Sequence, residues 1–281
     1  MRFLAGSLKM DAVVSETKYE CLLFDMDDTL YPLSLGLNLA CRKNIQDFML
    51  HHLHIEESQV PHMCVDLYKE YGTTMAGLKV LGFEFDDDEF HAYVHGRLPY
   101  EKLKPDLVLR NLLLSMPQRK IILTNADEAH AARVLNKLGL EDCFEGVICF
   151  ETLNPSPVPN NTDDINSTDP NANKAEAVNE SKAKLPIICK PSLEAMQSAI
   201  KIANIDPKKT VFFDDSARNI ASAKAAGLNT VFVGSSTLVT GADLALNSIH
   251  NIKEALPEIW EGQDQSDTRL PSTPVETVVL A

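Results

Sequence analysis

The sequence predicts an α/β fold of three layers: a parallel, Rossmann-like sheet with helices on both faces, and a small α-helical domain inserted after the first strand. Three observations predict it. Five short apolar runs, rich in β-branched or aromatic residues, read as buried strands at 20–24, 119–124, 145–150, 210–213 and 229–233. Helical patterns lie between them. Residues 35–104 break that alternation, with helical spacing throughout and no convincing strand.

In chain order, residues 1–18 read as a loose N-terminus, and the first strand, 20–24, opens the core. Helical stretches follow near 38–53, 57–71, 74–80 and 87–96, and Pro99 and Pro105 mark the return to the core. The core is therefore expected over 19–34 and 105–260, with the insert at 35–104. Ala, Val and Leu recur at helical spacing over 127–138 and stop at Gly139. Similar helices are expected over 192–203 and 216–226, the latter stopped by Gly227. The stretch 154–184 carries seven Asn and four Pro, with Val158, Ile165 and Val178 as its large apolar residues. It buries too little to offset ordering entropy, so a disordered surface loop is expected. Residues 261–281 read as a flexible tail.

The composition narrows the function. The 281 residues are 44% apolar and 23% charged, ordinary for a globular chain, with a formal net charge of −14. That charge disfavours nucleic acid polymers and anionic membrane surfaces as partners. No run of about 18 apolar residues suggests a membrane span, and the N-terminus lacks a secretory pattern. The six cysteines are scattered without CxxC spacing, which argues for reduced thiols rather than disulfides or a zinc site. The cytoplasm is the expected compartment, with the nucleus as a second. Oligomeric state is not legible.

The chemistry concentrates at strand ends. Asp25-Met26-Asp27-Asp28-Thr29 follows the apolar run Cys21–Phe24. Carboxylates crowded at the end of a buried strand suggest a hard cation with oxygen ligands, hence Mg2+. They also offer a nucleophile and a second acid two residues on. Three further strand or helix junctions carry polar residues: Thr124-Asn125, Lys190-Pro191, and Asp214-Asp215 with Asn219. In an open parallel sheet all would gather beyond the carboxyl ends of the strands. The set suits phosphoryl transfer, which needs a nucleophile, a cation, donors for the phosphoryl oxygens and an acid for the leaving oxygen.

These four segments, DMDDT, ILTN, CKP and DDSARN, resemble in order the four motifs of the haloacid dehalogenase-like (HAD) phosphatases. The resemblance spans roughly 20–235. It implies that Asp25 is the nucleophile and a metal ligand, and that Asp27 is the general acid and base, giving its backbone carbonyl to the metal. It implies Asp215 as the principal metal carboxylate, with Asp214 and Asn219 supporting. Thr124, Asn125 and Lys190 would hold the phosphate. Asp28 stands where glycine is common in the family. The strings FDMDDTLYPL, YKEYGTTMAGL, LKPDLVLRNLL and FFDDSARNI are similar to the pyrimidine 5′-nucleotidase-like branch, which carries a helical cap after the first motif.

The expected activity is thus a magnesium-dependent phosphomonoester hydrolase acting through an aspartyl-phosphate. The expected substrate is a small phosphorylated metabolite, a nucleoside 5′-monophosphate in the first place. A sugar phosphate or pyridoxal phosphate fits the same chemistry, and a catalytically silent binding protein on the same scaffold is the alternative of another class. In the insert, Tyr71, Gly72, Thr73 and Thr74 read as the turn facing the substrate, and His95-Gly96-Arg97 as part of a lid. His51, His52 and His54 read as a solvated helix end, and Asp86–Glu89 as acids favoured at a helix start.

Overall fold

A computed structural model describes residues 17–155 and 186–261. The expected disorder of 154–184 therefore falls almost wholly outside the described residues, as does most of each tail. The chain runs β1 (Cys21–Phe24), α1 (Leu37–His51), α2 (Val60–Tyr71), α3 (Thr74–Val80), α4 (Asp87–His95) and α5 (Leu107–Leu114). It continues through β2 (Arg119–Leu123), α6 (Glu128–Leu138), β3 (Gly146–Ile148), α7 (Phe150–Leu153) and α8 (Leu193–Ala203). It closes with β4 (Thr210–Asp214), α9 (Ala217–Ala225), β5 (Asn229–Val233), β6 (Leu244–Leu246) and α10 (Ile252–Ala255).

The six strands form one sheet in the order β3-β2-β1-β4-β5-β6, and every pairing is parallel. Alternation along the strands sends successive side chains to opposite faces. Leu22, Phe24, Ile122, Val211 and Phe213 point to one face, where α5 and α6 cover them with Leu109, Leu113, Val134 and Leu138. Cys21, Leu23, Ile121, Leu123 and Phe212 point to the other, under Met196 and Ala199 of α8 and Ile220 and Ala223 of α9. Phe24 and Phe213 stack at 4.7 Å between ring centroids in the middle of the first face. This is the three-layer α/β arrangement the sequence predicts.

Two elements depart from the sequence reading. The strand expected over 145–150 is shorter, because Cys149 already caps α7. A sixth strand, Leu244–Leu246, pairs with β5 at the sheet edge. Its three residues carry too little pattern to be read alone.

Helices α1–α4 build a third apolar cluster from Phe48, Met49, Leu67, Leu78, Phe90 and Val94, joined by Phe150 from the core. Local chemistry sets their ends. Asp86 caps α4 by accepting a hydrogen bond from the Glu89 amide at 2.9 Å, with Asp87, Asp88 and Glu89 in the first turn. Those acids are helix-start residues, as expected. His51 ends α1, and His52 stacks on Phe48. Among the described residues no helix is long and apolar enough to cross a membrane.

Candidate active site

The register of three strands assembles the site. Phe24 pairs with Ile122 on one side and Phe213 on the other. The next residues, Asp25, Leu123 and Asp214, therefore come level at the carboxyl edge. The chain leaves β1 for β2 on one side and β4 on the other, so a crevice opens there. Lys190 fills it from below. Its ammonium donates to Asp25 Oδ1 at 2.5 Å, to Asp214 Oδ2 at 2.9 Å and to the Leu123 carbonyl at 2.8 Å. An ammonium has three donors, and each meets an acceptor from a different strand end. Lys190 is 2% exposed and Asp214 0%. Burial alone would lower the lysine pKa, but the two carboxylates outweigh it and hold the charge in place.

Each carboxylate has further partners. Thr29 Oγ1 donates to Asp25 Oδ2 at 2.9 Å. Asn219 Nδ2 reaches both Asp214 oxygens at 3.0 Å, and the Ser216 amide donates to Asp214 Oδ1 at 2.7 Å. Asp215 accepts no hydrogen bond among the described residues. Burial and the charges of Asp25 and Asp214 push its carboxyl up to about 8. Oxygens of Asp25, Asp214 and Asp215 lie within 4.8 Å of one another. Three carboxylates with one ammonium leave negative charge that a small divalent ion with oxygen ligands would neutralise. The residues present fit Mg2+.

Asp27 turns the other way. Its Oδ1 accepts from Tyr31 Oη at 2.5 Å and lies 2.9 Å from His130 Nε2. Burial would raise the Asp27 carboxyl, but His130 and Tyr31 outweigh it and hold the pKa at about 2. His130 Nδ1 bonds Tyr100 Oη at 2.7 Å, and its ring stacks on His95 at 4.4 Å. His95 also pairs with Asp127, the residue that caps α6. His95, expected in a mobile lid, thus ties the insert to the core.

The other predicted residues take distinct places. Thr124 is buried and its Oγ1 accepts from the Ala126 amide at 3.1 Å, leaving the hydroxyl proton for a ligand. The Asn125 side chain bonds the backbone of Lys190 at the edge of the cavity. Its amide donates to the Lys190 carbonyl at 2.9 Å and accepts from the Lys190 amide at 2.8 Å, so it braces the lysine. Gly72, Thr73 and Thr74 line the cavity over Asp25 with Thr124 and Lys190, whereas the Tyr71 ring packs on the insert's apolar cluster. That cavity measures about 300 Å³. An adjoining cavity of about 430 Å³, walled by Leu37, Ile45, Tyr68, Arg42 and Lys69, shares Asp27 and Asp28 with it. Asp28 adopts φ 60°, the left-handed conformation that favours glycine, and one of its carboxylate oxygens is buried without a partner.

Tyr31, Tyr100, Asp127 and His130 were not legible as site residues. One signal existed for His130: it lies on the same helical stripe as Ala131, Val134 and Leu138. A histidine on an otherwise apolar stripe needs a buried partner.

A family model for haloacid dehalogenase-like hydrolases matches residues 19–227. The chain belongs to that family. Phosphate metabolism protein 8 of Saccharomyces cerevisiae is 29% identical to this HAD-like chain over 133 residues, which cover 44% of this chain and 41% of the yeast protein. The match thus spans about two-fifths of that relative's length. Among solved structures, CbbY of Rhodobacter sphaeroides, crystallised with phosphate, is similar at a TM-score of 0.52 and 14% identity, over 83% of this chain and 96% of that one. A HAD phosphatase of Thermococcus onnurineus gives 0.51 at 15% identity, over 84% and 96%. YfnB of Bacillus subtilis, bound to magnesium, gives 0.50 at 17%, over 84% and 97%. At these identities the structures establish the shared fold.

Proposed function

We propose that this HAD-family hydrolase is a magnesium-dependent phosphomonoesterase that works through an aspartyl-phosphate on Asp25. The observation that carries the reading is the meeting of Asp25, Asp214 and Asp215 around one point, beside Lys190, with Asp27 lining the same cavity. Asp25 attacks phosphorus, and the ester oxygen leaves with a proton from Asp27. Asp27 then takes a proton from the water that hydrolyses the aspartyl-phosphate. Lys190, Thr124 and backbone amides beyond β2 neutralise charge on the transferred group. Asp25, Asp215 and the Asp27 carbonyl would hold the magnesium ion, with Asp214 supporting. When bound, the ion offsets the repulsion between carboxylate and phosphate.

A nucleoside 5′-monophosphate is the first choice of substrate. The second cavity, with Tyr68, aliphatic walls and two cationic side chains, offers room and a stacking surface for a nucleoside. The yeast relative bears a name from phosphate metabolism. Sugar phosphates and pyridoxal phosphate share the same reacting group, and the walls of that cavity decide among them.

The test is phosphate release from p-nitrophenyl phosphate and a panel of metabolite monoesters. Turnover is expected with magnesium, not after chelation, and not in Asp25→Asn. Wild-type-like release by that variant would refute the mechanism. Uniform activity across the panel would remove the nucleotidase assignment. No release from any ester would favour a silent binding protein.

A further inference from the structure

The two oxygens of Asp27 have different surroundings. Tyr31 and His130 both converge on Oδ1, at 2.5 and 2.9 Å. Oδ2 has no hydrogen-bond partner among the described residues, and Asp27 lines both lobes of the substrate cavity. A carboxyl group with one oxygen anchored twice cannot turn about its last bond without losing both anchors. Its other oxygen is the one presented to a ligand.

His130 is itself held on several sides. It is 3% exposed, far from an ordinary surface histidine. Nδ1 is engaged by Tyr100, whose ring lies under the Arg133 guanidinium at 4.0 Å. One ring face stacks on His95, and the amide of His130 itself donates to Asp127 Oδ2 at 3.4 Å. With Nδ1 engaged and the ring fixed, Nε2 is aimed at Asp27. Helix α6 places it there, from a point 103 residues away in sequence.

We infer that His130 is a positioning residue for proton transfer: with Tyr31 it anchors Oδ1 of Asp27 so that Oδ2 delivers the proton to the leaving oxygen. This rests on the phosphomonoesterase reading above. In the step concerned, the bond from Asp25 oxygen to phosphorus forms as the bond from phosphorus to the ester oxygen breaks. Asp27, a carboxylate in the free enzyme, takes up a proton on Oδ2 from the bound phosphate monoanion, and that proton passes to the ester oxygen, which departs as an alcohol. Asp27 is left as a carboxylate, with both anchors still on Oδ1.

The inference is tested with para-substituted phenyl phosphates from p-nitro to p-methoxy. These differ little in size but widely in how much the leaving oxygen needs a proton. His130→Gln places an amide N–H near the position of Nε2, whereas His130→Asn stops short of Asp27. Tyr31→Phe removes the other anchor. The readout is the dependence of kcat/KM on the leaving group, which reports the step that breaks the ester bond. His130→Asn is expected to lose at least about tenfold more on the p-methoxy ester than on the p-nitro ester. Tyr31→Phe should change in the same direction, and His130→Gln should fall near the wild type. A purely structural role would lower all members of the series in parallel. Parallel losses in His130→Asn, or an unchanged series in Tyr31→Phe should His130→Asn fail to fold, would overturn the inference. A wild-type protein inactive on every ester overturns the phosphatase reading itself, a distinct outcome.

Discussion

At the residue scale, Lys190 has two tasks that conflict with its burial. It neutralises Asp25 and Asp214, and the same contacts keep its own charge in an environment that would otherwise remove it. Removing one partner of a buried ion cluster leaves the others uncompensated. Lys190→Met is therefore expected to cost about 3–5 kcal/mol of unfolding free energy in the absence of magnesium. Urea denaturation reads this, and wild-type stability in the variant would show that the lysine is not the counter-charge. Asp127 makes a separate prediction. Burial would raise its carboxyl, but the bond to His95 wins and holds it at about 2, against 3.8 for the free group. A depressed carboxyl stabilises the fold above its unfolded pKa and loses that contribution as pH falls through the folded value. The stability advantage of wild type over Asp127→Asn should thus shrink by roughly 2 kcal/mol between pH 5 and pH 2. A difference that stays constant over that range would count against the assignment.

At the scale of elements, the turn between α2 and α3 decides how closely the insert meets the core. Gly72 sits at φ 89°, and a Cβ there would lie 2.6 Å from the Lys190 carbonyl oxygen and 2.9 Å from Pro191 Cδ. Neither neighbour is a flexible side-chain end. The glycine is needed both for its backbone conformation and for this approach. Arg218 of α9 reinforces the same junction by donating to the Tyr68 and Lys69 carbonyls at 3.1 and 2.9 Å. Gly72→Ala should cost about 1–3 kcal/mol in stability. Because Gly72 touches the backbone of Lys190, it should also depress kcat/KM for p-nitrophenyl phosphate. Thermal melts and steady-state kinetics on one preparation measure both, and unaltered kinetics would disconnect this turn from the site.

At the scale of the molecule, the core carries the carboxylates and the insert roofs them. The carboxylates of Asp25, Asp214 and Asp215 repel one another, and a cation bound there in the folded state alone would stabilise the fold. At one hundred times the dissociation constant a bound ion adds about 2.7 kcal/mol. For a chain of this size that is about 5–10 °C in Tm. Magnesium should raise the Tm by that amount in wild type and leave Asp215→Asn unmoved. An equal shift in both would place the ion elsewhere. The insert's apolar cluster includes Phe150 from the core, and His95 reaches across to Asp127 and His130. The insert is thus linked to Asp27 through His95 and His130.

The layers of the fold, and the polar groups at the ends of their strands and helices, were readable from the chain alone. Period-two and period-3.6 patterns, short apolar runs and the turn residues at strand ends are local, so Asp25, Asp27, Thr124, Lys190 and Asp215 could be placed at strand or helix ends without coordinates. The tertiary structure decided what these groups bond to. Only the register of β1 against β2 and β4 brings Asp25, Leu123 and Asp214 level, and so gives the Lys190 ammonium three acceptors. Only packing turns Asn125 onto the Lys190 backbone, withdraws Tyr71 into the insert, and delivers His130 to Asp27. The edge strand β6 belongs to the same class, since pairing with β5 defines it and its own three residues do not. Local pattern encodes which way a segment turns its side chains. Hydrogen-bond partners dozens to hundreds of residues apart depend on how those segments pack, and that information exists only in the assembled fold.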